Sequence, residues 1–133
     1  MEIVKNILMF IWQLPQNILG LVLRLFYYGI ILHTDVHDIP VWVCFSGSMY
    51  GGISLGQFVF VPLRVECDSD FVKHELGHCR QSQYLGWLYL IVIGLPSIIW
   101  ACIHTCSKKI RERYSYYVFY TERWADKLGG VNR

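Results

Sequence analysis

The sequence predicts a mainly helical α+β domain: a small β-hairpin or sheet, then a polar helix that opens an antiparallel helical hairpin whose apolar tip is inserted in a membrane. Three observations predict it. Two runs rich in β-branched and aromatic residues, VWVCF (41–45) and ISLGQFVFV (53–61), flank the glycine-laden SGSMYGG. A polar segment, DSDFVKHELGHCRQSQY (68–84), passes directly into Leu85–Cys106, which carries no formal charge. GLPS (94–97) interrupts that apolar run, and a second helical pattern follows it to Gly129–Gly130.

Taken in order, residues 1–32 read as two apolar helical pieces hinged at Pro15, because proline lacks a donor and restricts the residue before it. The first piece is shorter than the roughly 20 apolar residues that span a hydrocarbon core. HTDVHDIP (33–40) reads as a polar linker. Its residues His33, Asp35, His37 and Asp38 fit a loop before a proline better than a metal cluster. Residues 40–63 hold the strands, paired as a hairpin or as neighbours, and Gly56 marks a bulge or a close backbone approach. Asp68, Ser69 and Asp70 offer a cap and complement the helix dipole, so a helix starts near Phe71 and runs toward Gly94.

Composition places these elements in one domain, residues 1–133. With 54% hydrophobic and 17% charged residues and a mean hydropathy of +0.35, the chain is more apolar than an ordinary soluble domain. Membrane lipid is therefore an expected partner. A net charge of +2, with no basic stripe among exposed aromatics, argues against nucleic acid. The five cysteines, Cys44, Cys67, Cys79, Cys102 and Cys106, form no C-x-x-C pair and read as reduced thiols. The polar break at QLPQN (13–17) and the lack of a cleavage pattern speak against a signal peptide, hence the expectation of a membrane-associated protein whose site faces the cytoplasm.

The chemistry is concentrated at His74, Glu75 and His78. Residues four apart lie on one helix face, so both imidazoles can reach one ion, and Glu75 projects beside it. This H-E-x-x-H order suits a metal that acidifies water next to a carboxylate base. A catalytic zinc wants a third protein ligand and one open position. TERWAD (121–126) supplies Glu122 and Asp126, again four apart.

In these two motifs the chain, over roughly residues 53–130, resembles the gluzincin zinc metallopeptidases, in which an H-E-x-x-H helix is followed by one bearing E-x-x-x-D. The resemblance implies a Zn2+ cofactor held by His74, His78 and Glu122, with Glu75 as catalytic base and Asp126 orienting a ligating histidine. It also implies a peptide or protein substrate, laid along ISLGQFVFV as an edge strand. It leaves the group facing the tetrahedral intermediate unassigned among Tyr114, Tyr116, Tyr117, Tyr120 and His104. A non-enzymatic membrane anchor or partner-binding protein with a degenerate metal site is the competing expectation.

One geometric condition decides between them. A straight helix over Leu85–Cys106 would hold His78 and Glu122 apart by roughly 30 Å of hydrocarbon. The apolar run must double back, and the midpoint between the two motifs falls near residue 100. GLPS is close enough to serve as the turn if a loose loop or an irregular stretch near Ser107 absorbs the offset. Such a tip would reach about half a bilayer, with Arg80, Lys108, Lys109, Arg111 and Arg113 at headgroup level.

Overall fold

Four strands and six helices account for most of the chain, and the computed structural model describes all 133 residues. Helices α1 (Glu2–Trp12) and α2 (Leu14–Arg24) meet at 86° around Gln13, with Pro15 in the first turn of α2, where its missing donor costs nothing. The hinge lies where the proline places it. The helical reading of 1–32 extends too far, however, because α2 ends at Arg24 and Ile30 opens strand β1 (Ile30–Val36).

Strand β1 also corrects the reading of HTDVHDIP as a linker. It pairs antiparallel with β2 (Ile39–Ser46) in the register Val36↔Ile39 through Ile30↔Phe45. Only His37 and Asp38 lie between them, and both take positive φ, 51° and 62°. A two-residue turn with two left-handed residues has the twist that suits a hairpin, and aspartate tolerates that region. In 33–36 it is burial that alternates: His33 and Asp35 are exposed, Thr34 is half-buried and Val36 buried, as in a strand with one face to solvent.

The nine residues ISLGQFVFV are not one strand. They form a second tight hairpin, β3 (Ile53–Leu55) and β4 (Phe58–Pro62), turning at Gly56 with φ 65°. Strand β4 lies parallel to β2, so the sheet order is β1-β2-β4-β3. Val41, Val43, Phe45, Val59 and Val61 on one face of this sheet pack against Val72 and Cys79 of α3 (Asp70–Leu85). Each such buried side chain contributes about 1.5–3 kcal/mol. The other face carries Cys44, Phe60 and Met49, with Leu23, Tyr27 and Phe58 against them.

Helix α3 starts where the acidic segment predicts: Ser69 is its N-cap and accepts from the Val72 amide. It stops sooner than the periodicity predicts. Gly86 takes φ 53°, and Trp12 lies where its side chain would be. A 3₁₀ turn (Gly86–Leu88) and a π-helical turn (Leu90–Gly94) lead into α4 (Leu95–Cys106), and the axis bends by 119°. The turn is thus at Gly86–Tyr89 and not at GLPS; Pro96 sits harmlessly in the first turn of α4. The irregularity expected near Ser107 is present: that residue is extended and caps the short α5 (Lys108–Arg113). A 3₁₀ turn at Tyr116–Val118 then delivers α6 (Tyr120–Gly129) to α3.

QLPQN, a break in the apolar pattern, is a buried junction in the fold. Gln16 donates to Ser82 Oγ and to the Gly86 carbonyl, both at 2.8 Å, and Ser82 donates to Gln13 Oε1 at 2.7 Å. Asn17 Oδ1 accepts from the Gln57 amide at 2.8 Å. The N-terminal helices are therefore tied to the end of α3 and to the β3–β4 turn by polar groups that have lost access to water and need these partners.

Candidate metal centre

Helices α3 and α6 run antiparallel at very short range. Gly77 faces Ala125 so closely that a Cβ on Gly77 would lie 2.0 Å from the Ala125 carbonyl oxygen. That approach brings the histidine face of α3 onto the carboxylate face of α6. His74 Nε2 lies 3.0 Å and His78 Nε2 3.2 Å from the same oxygen, Glu122 Oε2. The three ligand atoms lie within 4.8 Å of one another and all three residues are buried, Glu122 to 1% exposure. The chain between the motifs does double back, and the condition set by the sequence is met.

The atoms behind the ligands fix which ring nitrogens point inward. His74 Nδ1 lies 2.7 Å from Asp126 Oδ1 and His78 Nδ1 2.7 Å from Gln81 Oε1. Gln81 in turn donates its Nε2 to the Thr121 carbonyl at 2.8 Å, which orients its oxygen toward the imidazole. Each ring is thus engaged at Nδ1 from behind, and its Nε2 is turned toward the Glu122 carboxylate. Two imidazole nitrogens and one carboxylate oxygen converging on one buried point could hold a metal ion. This donor set fits a divalent metal: two imidazole nitrogens and one carboxylate oxygen, each supported from behind.

Burial opposes the charged form of His78, but hydrogen bonding to Glu122 and the nearby charges of Glu75 and Glu122 outweigh it and raise its pKa. Burial likewise opposes ionisation of Glu122, yet hydrogen bonds from His74 and His78 hold its carboxyl well below the usual range. Thr121 donates to Glu122 Oε1 at 2.9 Å, and Ser97 donates to the same oxygen.

Glu75 lies beside this group and is also buried. Ser54 on β3 donates to Glu75 Oε2 at 2.7 Å, and a side chain at Gly52 would collide with the same carboxylate. Strand β3 is a sheet edge, and Ile53, Ser54 and Leu55 line a cleft of about 660 Å³ that opens over His74, Glu75 and His78. Tyr116 and Tyr117 reach into this cleft, whereas Tyr114, Tyr120 and His104 do not line it. Burial pushes both cleft hydroxyls up in pKa and keeps them protonated donors. Asp126 accepts from Arg133 Nε at 2.9 Å, and the guanidinium stacks 3.4 Å over Tyr117, whose edge meets His74.

The structure brings together His74, Glu75, His78, Glu122 and Asp126, the residues that the two motifs supply. It adds Gln81, Ser54, Arg133, Ser97 and Tyr89, which carry no motif signal; Tyr89 donates to the Ser54 carbonyl at 3.0 Å. All five cysteines are free, with Cys44 and Cys79 buried and Cys67, Cys102 and Cys106 exposed. None of them joins the metal group. Comparison with known protein families, with curated proteins and with solved structures finds no match to this chain.

Proposed function

We propose that the protein is a membrane-surface zinc metallopeptidase of gluzincin type. The observation that carries the reading is the convergence of His74 Nε2, His78 Nε2 and Glu122 Oε2 at the floor of a cleft in which Glu75 stands beside them. Zinc is the expected ion because two imidazoles and a carboxylate with an open fourth direction are its usual catalytic ligands. When bound there it would lower the pKa of a water toward neutrality and polarise the scissile carbonyl.

The chain's own residues supply the rest. His74, His78 and Glu122 hold the ion; Asp126 and Gln81 hold the imidazoles in the tautomer that ligation needs. Glu75, fixed by Ser54, takes a proton from water as oxygen adds to the carbonyl carbon, and returns it to the amide nitrogen as the C–N bond breaks. Tyr116 and Tyr117 are the remaining hydroxyl donors facing the cleft, suited to the developing oxyanion.

Association with lipid is supported by where apolar side chains face water. Helix α1 buries no residue and exposes Ile3, Val4, Ile7, Leu8 and Ile11. Trp87, Leu88, Ile91, Leu95, Ile98 and Ile99 are exposed as well. The two groups meet where Trp87 Nε1 donates to the Ile11 carbonyl at 2.9 Å, which makes them one surface. No single helix is long and apolar enough to cross a membrane. In this reading α1, α2 and the 87–99 segment lie in one leaflet, and the exposed basic residues of α5 sit at its cytoplasmic headgroups.

Metal analysis of purified wild type beside Glu122→Ala tests the reading. One zinc per chain in wild type and none in the variant is expected, together with peptide hydrolysis that Glu75→Gln abolishes while zinc is retained. Zinc-free protein that is indifferent to chelator would identify the triad as a structural hydrogen-bond network in a membrane anchor.

A further inference from the structure

Resting on the peptidase reading, we propose that the cleft receives its peptide from the lipid side, and that the substrate is an uncharged, apolar segment held in the same membrane surface. The chemistry of the walls supports the first half. Apart from the metal ligands and Glu75, the cleft presents no charged side chain; Phe71, Leu90, Ala101 and Cys102 are typical of its lining. Away from Glu75 and the metal ligands, a lysine, arginine or aspartate of the peptide would find no counter-charge against these walls and would lose its water.

The position of the mouth supports the second half. Leu19, Leu95 and Ile98 line the cleft, yet they are 46%, 57% and 64% exposed. They are at once the rim of the site and part of the outward apolar surface formed by α2 and α4. Along Leu19, Leu95 and Ile98 the rim is apolar and uncharged, and the neutral Thr105 is the exposed polar side chain of α4 that lines the cleft. Strand β3 adds a backbone reason. It has a hydrogen-bonded neighbour on one side only, β4, and its three residues all line the cleft. Open strand edges are costly away from water, and an extended peptide satisfies both chains at once. A segment already dehydrated in the interface meets the cleft with less to lose than one arriving from water.

The test uses full-length, zinc-loaded protein on phosphatidylcholine–phosphatidylglycerol vesicles and two acyl-anchored fluorogenic peptides with the same apolar core. In one the core adjoins the anchor; in the other a Gly/Ser spacer of about 20 residues lifts it some 25 Å, so that surface concentration is matched and depth alone differs. Cleavage of the adjoining core about tenfold faster than the lifted one is expected, the order of gain that correct positioning supplies. Replacing an apolar core residue that lies against Leu95 and Ile98, away from the scissile bond, with lysine should lower kcat/KM by at least the same factor. Ile98→Lys should reduce turnover of the adjoining peptide while zinc stoichiometry and the thermal melt stay as in wild type. Equal or faster cleavage of the lifted core, or indifference to the lysine, overturns lipid-side access and leaves the peptidase reading standing. Failure to cleave either peptide, with one zinc bound, overturns both.

Discussion

Ser54 Oγ stands 2.7 Å from Glu75 Oε2 and joins the edge strand of the sheet to the carboxylate beside the metal ligands. In the proposed reaction, the strand that would carry substrate also sets the position of the proposed base. Close by, the backbone at Gly52 leaves no room for a methyl group, since a Cβ would fall 2.1 Å from Glu75 Oε1.

Gly52→Ala should therefore displace Glu75 without touching the ligands. Peptide hydrolysis is expected to fall by about 10²-fold, the scale on which small misplacements of a catalytic group act, while zinc content is unchanged. Ser54→Ala, which removes the donor and keeps the space, should cost less. Paired measurements of kcat and bound zinc check both.

Arg133 holds Asp126 at 2.9 Å and lies over Tyr117, so it acts on His74 through two neighbours. Arg133→Ala should weaken zinc binding by about tenfold, in line with the loss of groups that orient metal ligands. Arg133→Lys keeps the charge but not the planar stack, and should recover only part of the affinity. Competition with a chromogenic chelator measures the difference.

Gly77→Ala tests the helix approach itself. With the Ala125 carbonyl 2.0 Å from the added carbon, α3 and α6 must separate. Overpacking of this kind costs about 1–3 kcal/mol, and the separation should also abolish zinc binding, because Glu122 and the imidazoles sit on opposite helices. Urea melts with and without zinc would show a destabilised apo protein that zinc no longer rescues.

Metal and protons should give opposite pH profiles. Chelated protein holds a raised His78, whose contribution to stability is complete below its ordinary value of 6.5 and lost as pH rises through the folded value. Its Glu122 is lowered, and contributes above the ordinary 4.5 until pH falls through the folded value. The chelated form should thus melt highest between pH 4.5 and 6.5. Zinc requires deprotonated imidazoles, so the increment in Tm on adding zinc should grow from pH 6 to pH 8. Parallel thermal melts across that range decide it.

The candidate metal centre is the most legible part of the chain because helical periodicity is local. His74 and His78, like Glu122 and Asp126, lie on one face at any four-residue spacing, and the antiparallel pairing of Gly77 with Ala125 is centred on Ala101, close to the midpoint the motifs imply. The groups behind the ligands had no such signal. Gln81 lies three residues after His78 and Arg133 seven after Asp126, but only the packing of α3 on α6 turns those separations into contacts.

Strands fared differently. The edge strand β1 was hidden because an exposed edge need not alternate strongly, and β2 lies parallel to β4 through a crossing that no local pattern encodes. Proline misdirected the turn. Pro96 suits the start of α4 as well as a loop, whereas Gly86 bends the chain because Trp12, more than 70 residues away, occupies the space beside it.

By itself the sequence determined which side chains share a helical face and that an uncharged run separates two such faces, since both follow from neighbours along the backbone. Only the tertiary structure decided where that run bends, which oxygen of Glu122 the two imidazoles share, and that Ser54 and Arg133 secure the flanking carboxylates. Those outcomes depend on contacts between segments far apart in the chain, where close packing selects one arrangement from many that local preference would allow.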